Sequence, residues 1–235
     1  MCSSDLTHDE TGEFPIVVEH PRYAGGHLGA TRLEEVADPR FDFERVLPEI
    51  RAALHQAGLD ADRIPLIAAG GINSPERARA ALAAGAAAVQ VGTPFAVTEE
   101  GDAHLNFKRV LADAKPEDIV TFMSAAGLPA RAVKTPWLEQ YLAKLPVLQR
   151  RANARTDCTL AFDCLEQCGL RDGVERFGQF CIDHHLAAAL AGDVKRGLFF
   201  RGAGPLPFGQ QIRPVRDLIE YLLNGIMPAD LAPAG

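Results

Sequence analysis

Apolar positions in the first hundred residues fall in short unbroken runs, whereas further along they recur every three to four residues. The runs are Phe14-Pro15-Ile16-Val17-Val18-Glu19, Pro65-Leu66-Ile67-Ala68 and Ala86-Ala87-Ala88-Val89. Runs of this length without alternation predict buried parallel strands. Between the first two, residues 43–58 place Val46, Leu47, Ile50, Ala53 and Leu54 at helical spacing, with Gly58 as the stop. The clearest unit follows. A strand over 65–69 leads through Gly70-Gly71-Ile72-Asn73 into Ser74-Pro75-Glu76, where Ser74 suits an N-cap, Pro75 the first helical position and Glu76 the positive end of the dipole. The helix runs through Ala78, Ala81 and Leu82 to Gly85, and the next strand begins at once. So compact a strand, helix and strand predict a crossover unit and a parallel sheet.

Past Phe95 the pattern turns helical, over 105–114, 116–126 and 137–151, with breaks at Lys115-Pro116 and Gly127-Leu128-Pro129. Residues 180–191 and 214–223 predict two more helices, the last with Val215, Leu218, Ile219 and Leu222 on one face. A short segment, Gly197-Leu198-Phe199-Phe200-Arg201-Gly202, lies between them. The chain therefore divides into a polar leader over 1–13, expected to be disordered, an α/β unit over 14–104 and a mainly helical region over 105–235. Only three strands are evident, where a (β/α)8 barrel of the TIM type needs eight. Either the strands pair differently, or the chain carries the C-terminal part of such a barrel.

Composition narrows the function classes. With 235 residues and 47% hydrophobic content the chain can bury a sizeable core. A net charge of −7 with interspersed basic residues offers no footprint for nucleic acid. No apolar run reaches membrane-spanning length, and Met1-Cys2-Ser3-Ser4-Asp5-Leu6 lacks a signal-peptide pattern, so a cytoplasmic location is expected. Five cysteines, an odd number, point to reduced thiols.

The chemistry concentrates in glycine-rich turns: Ala24-Gly25-Gly26-His27-Leu28-Gly29 after the first run, Ala69-Gly70-Gly71-Ile72 after the second and Gln90-Val91-Gly92-Thr93 after the third. Glycines there let backbone N–H groups approach an anion closely, and a helix N-terminus adds the favourable end of its dipole. A phosphate-bearing ligand is implied, although glycine also serves ordinary strand-to-helix turns. His27 is the candidate acid–base group, the plain alternative being a histidine satisfied within a tight loop. Cys158, Cys164, Cys168 and Cys181 do not show the paired spacings of zinc ribbons or the usual iron–sulfur runs and are read as ordinary thiols, so no metal is expected. Asp183-His184-His185 is read as the polar start of an apolar helix.

On these motifs, with Gln90-Val91-Gly92-Thr93-Pro94-Phe95 and Thr98-Glu99-Glu100, the chain resembles the nitronate monooxygenases, FMN-dependent α/β barrels. The resemblance runs from about residue 14 to 223. It implies that Gly25 borders the flavin, that Gly71, Gln90, Val91, Gly92 and Thr93 hold the FMN phosphate, and that Gly26 and Gly70 belong to the same cofactor-binding turns. It further implies that His27 faces the substrate. The activity implied is oxidation of alkyl nitronates by dioxygen to a carbonyl compound and nitrite. An NAD(P)H-dependent flavin or enoyl-thioester reductase and an inactive fragment of such an enzyme are the alternatives, and a homodimer is left open. Two departures stand out. The family's N-terminal half has no counterpart, and the lead-in Glu19-His20-Pro21-Arg22-Tyr23 is one residue longer than the usual form.

Overall fold

In a computed structural model, residues 14–154, 158 and 164–231 are described. The leader expected over 1–13 lies outside them. The first half supplies strands β1 (Ile16–Glu19), β2 (Gly26–His27), β3 (Leu66–Ala69) and β4 (Ala88–Gln90), with helices α1 (Phe43–Gln56), α2 (Pro75–Ala83) and α3 (Thr93–Ala96). Helices α4 (Leu105–Asp113), α5 (Pro136–Arg150), α6 (Gly169–Asp172), α7 (Ile182–Leu190) and α8 (Val215–Asn224) follow, interrupted by strands β5 (Ile119–Met123) and β6 (Pro129–Val133).

The three apolar runs form one parallel sheet in the order β1-β3-β4, with Val18 opposite Ala68 and Ala68 opposite Val89. Helices α1 and α2 cover one face through Val18, Leu47, Leu66, Ala68 and Ala81. The other face is less covered among the described residues: Val17 is 48% exposed, where the sequence predicts burial on both sides. The α2 terminus forms as its sequence dictates, with the Arg77 N–H donating to the Ser74 hydroxyl at 3.3 Å and Pro75 opening the helix. No closed barrel forms among the described residues, whose strands make two three-stranded sheets.

The second sheet departs from the expected helical region. Residues 116–126, read as a helix, are a short 3-10 turn over Pro116–Asp118 followed by β5, which pairs antiparallel with β6. The physical reason lies in Ile119-Val120-Thr121-Phe122, β-branched and aromatic residues that favour a pleated surface once a partner exists. That partner, the wholly buried Pro-Ala-Arg-Ala-Val of β6, lacks any strand signature of its own. β6 also takes β2 on its other edge, with His27 opposite Ala130, and Phe200 bridges to Ala132. The His27 turn thereby joins the sheet of the later region. No helix among the described residues is long and apolar enough to cross a membrane.

Candidate active site

The C-terminal ends of β1, β3 and β4 open into a cleft of about 200 Å³. Its floor is Ala69, Gly70 and Gly71 after β3, and Gln90, Gly92 and Thr93 lie along the β4 side. Glu19, Tyr23, Ala24 and Gly25 close it from β1, while Phe107, Leu111, Phe200 and Leu206 make an apolar wall. Gly70 (φ 89°) and Gly71 (φ 77°) take left-handed backbone that side chains rarely adopt. A Cβ on Gly71 would also stand 2.5 Å from the Tyr23 Cβ. Gly25 is required for a different reason: a Cβ there would meet the Gly202 nitrogen at 2.4 Å.

That close approach brings the segment after Phe200 to the cleft, and three contacts pin it. The Gly202 N–H donates to the Thr93 hydroxyl at 3.0 Å, the Asn73 amide donates to the Pro205 carbonyl at 2.7 Å, and the Ala203 N–H donates to the Tyr23 carbonyl at 3.0 Å. Two buried arginines hold the walls through carbonyls. Arg131 of β6 donates to Pro21, at 3.0 Å, and to Ala24, fixing the turn that carries Tyr23 and Gly25. Arg201 donates to Leu111 at 2.8 Å and to Gly202 at 2.7 Å.

Of the residues singled out from sequence, Gly25, Gly70, Gly71, Gln90, Gly92 and Thr93 come together around this cleft, whereas Gly26, Val91 and His27 are not among its lining residues. His27 lies behind Phe200, which does line it, with ring centroids 5.8 Å apart. Its Nε2 is buried with no hydrogen-bond partner among the described residues, and burial holds the imidazole below its ordinary value. At neutral pH it is therefore the neutral, proton-accepting form. Sequence reasoning missed Glu19, at the end of β1. Burial pushes its carboxyl from 4.5 up to about 7, against the opposing pull of Arg131. Its position at the C-terminal end of a parallel strand was the available signal. Arg131 and Arg201 were also missed, and nothing in their local sequence marks them as buried.

Among the described residues no basic side chain lines the cleft. An anion held there would rely on backbone N–H groups and on the helix N-termini that follow the glycine turns. A cleft of this size falls below the ~300–1,000 Å³ that encloses a whole drug-sized ligand. It suits one end of an extended cofactor.

Comparison with known proteins follows the same lines. The family model described as nitronate monooxygenase matches residues 11–225. A probable nitronate monooxygenase of Bacillus subtilis is 31% identical over 135 residues, 57% of this chain and 36% of that protein. FabK from Thermotoga maritima superposes with a TM-score of 0.57 at 25% identity, over 89% of this chain and 53% of the other. The nitroalkane oxidase of Streptomyces ansochromogenes gives a TM-score of 0.52 at 25% identity, over 88% and 50%. The chain thus spans about half the length of these solved relatives and a smaller share of the curated one. The likenesses imply a TIM-barrel-like α/β fold.

Proposed function

The chain belongs to the nitronate monooxygenase family, whose members are FMN-dependent, and on that premise we propose that it takes part in the oxidation of small alkyl nitronates by dioxygen to a carbonyl compound and nitrite. The observation that carries this reading is the glycine-lined cleft at the C-terminal ends of three parallel strands, the end of such sheets where ligands bind. Side chains at Gly25 and Gly71 would collide with the Arg201–Gly202 backbone and with Tyr23, so these glycines let the turns pack closely around the cleft, whereas a Cβ on Gly92 would meet nothing within 4 Å among the described residues, which leaves its backbone open to a phosphate-bearing group. Gly70, Gly71, Gln90, Gly92 and Thr93 would hold the FMN phosphate, and Gly25 would border the flavin, with Gly26 and Val91 supporting the turns on either side. When bound, FMN supplies the redox chemistry and the reaction with dioxygen.

The remaining work belongs to side chains of this chain. His27, neutral and with an unpartnered Nε2, is the group to take the α-proton of a neutral nitroalkane, a step that requires the Phe200 ring packed against it to move and open the imidazole to the cleft. Phe200 and the apolar wall exclude water beside it and leave room for a short alkyl chain. Thr93 and Asn73 act through the segment after Phe200, holding that wall against the cradle.

The test is nitronate-dependent oxygen uptake with nitrite release by the FMN-loaded chain. A protein that retains flavin but consumes no oxygen with nitronates would sink the reading. A reductase using NAD(P)H and an acyl thioester is the second reading, favoured by the breadth of the apolar wall formed by Phe107, Leu111, Phe200 and Leu206. Bleaching of bound flavin by NADH or NADPH without oxygen would select it. A chain that retains no flavin would leave the inactive-fragment reading in place.

A further inference from the structure

Phe200 stands between the orphaned nitrogen of His27 and the cleft, and β6 is what puts it there. Along one edge of that strand His27 lies opposite Ala130, Gly26 opposite Arg131, and Phe200 bridges to Ala132. The two rings are thereby brought together, with centroids 5.8 Å apart and planes inclined at 56°. A Cβ on Gly26 would reach Phe200 Cδ2 at 3.5 Å, so the phenyl ring also rests on bare glycine backbone. Beneath this cover the Nε2 of His27 meets neither solvent nor a hydrogen-bond partner among the described residues.

The backbone around Phe200 is fixed, whereas its ring has room to turn. The Val133 N–H donates to the Phe199 carbonyl at 2.9 Å, the Arg201 N–H to the Arg131 carbonyl at 3.3 Å and the Gly202 N–H to the Thr93 hydroxyl at 3.0 Å. The ring itself is half-buried and lines the cleft of about 200 Å³. A side chain packed on every side is held in one rotamer by its neighbours, but here one side is open space. Rotation about the Cα–Cβ bond between staggered positions carries the ring into the cleft and breaks none of the main-chain bonds.

From this arrangement we propose that Phe200 sets the substrate preference of the site: its ring closes His27 off from the cleft, so that alkyl nitronate anions are taken in preference to neutral nitroalkanes. The inference rests on the oxidation reading given above and names the form of substrate that reading leaves open. A neutral nitroalkane must first lose its α-proton. The bond from its α-carbon to hydrogen breaks, the proton goes to Nε2, and the electron pair stays on the nitronate, spread onto the nitro oxygens. A nitronate arrives with that step complete, so it needs no base and the closed ring does not slow it. The nitroalkane needs the open position. A minor conformer populated at about 0.1–10% slows the step that depends on it by the inverse of its population, about 10–1,000-fold.

The experiment uses the full chain with Phe200→Ala and Phe200→Leu, the second retaining an apolar side chain should the first fail to fold. Diethyl pyrocarbonate acylates unprotonated imidazoles, and mass spectrometry of the digested protein locates the modified ones. In the unmodified chain His27 should react at least about tenfold more slowly than the exposed His55, and most of that gap should close in Phe200→Ala. In the FMN-loaded protein, the kcat/KM for nitroethane divided by that for ethyl nitronate should rise about tenfold or more in Phe200→Ala and by less in Phe200→Leu. Taking the ratio within each protein cancels any loss of folded or flavin-bound chain. His27 reacting as fast as His55 in the unmodified chain, or a ratio unchanged in both variants, would overturn the proposal. A loaded chain that turns over neither compound would remove the oxidation reading and the preference with it, whereas the acylation rates decide the closure of His27 on their own.

Discussion

Replacing Glu19 by glutamine should make the protein more stable at alkaline pH and almost unchanged in acid. Glu19 lines the cleft beside Gly70 and carries a carboxyl raised from 4.5 to about 7, chiefly by burial. The folded chain therefore binds this proton more tightly than the unfolded chain. Stability from the protonated carboxyl is fully present below pH 4.5 and is lost as the pH rises towards 7. At ~1.36 kcal/mol for each tenfold change, the interval amounts to about 2–3 kcal/mol, allowing for water at the carboxyl's exposed edge. Glutamine keeps the shape and removes the charge. In urea unfolding followed by the fluorescence of Trp137, the single tryptophan, the two proteins should coincide near pH 4.5 and separate by that amount above pH 8. The same proton should tune the cleft. An anionic phosphate is repelled once Glu19 ionises, so FMN affinity of the unmodified chain relative to Glu19→Gln should fall as the pH passes 7. The ratio cancels titration of the phosphate itself. Parallel pH profiles for the two proteins, in stability and in affinity, would refute the reasoning.

Gly71→Ala forces a left-handed residue to carry a Cβ against Tyr23; it should cost about 1–3 kcal/mol and abolish flavin retention, measured by absorbance after removing excess FMN. Arg131→Met removes the single Nη1 that serves both Pro21 and Ala24; leaving the buried carbonyls unmet should lower stability by about 1–3 kcal/mol, and a melting temperature equal to that of the unmodified chain would contradict it. His27→Asn should reduce turnover of neutral nitroalkanes by about 10²–10⁴-fold while sparing preformed nitronates, which have no α-proton to lose. In the unmodified chain, activity on nitroalkanes should rise with pH and level off below the ordinary histidine value of 6.5, because burial lowers the His27 pKa.

The amino-acid sequence was sufficient for features that depend on neighbours a few residues apart. The crossover unit from β3 through α2 to β4, the Ser74 cap, the Gly58 stop and the glycine turns at the strand ends were all legible, because capping, helical spacing and left-handed backbone are local properties. Elements that exist only through distant partners were not. Residues 119–123 become a strand because 129–133 lie beside them, and β6 in turn draws β2 and Phe200 to its edges. The cleft has the same character. Its cradle was visible as a succession of glycines, but the wall from Phe200 to Leu206 comes from more than a hundred residues away and is held by Thr93 and Asn73. Glu19 shows the physical reason most directly. Its identity as a carboxylate is written in the chain, yet whether it holds a proton at pH 7 depends on how much water the folded structure removes from it.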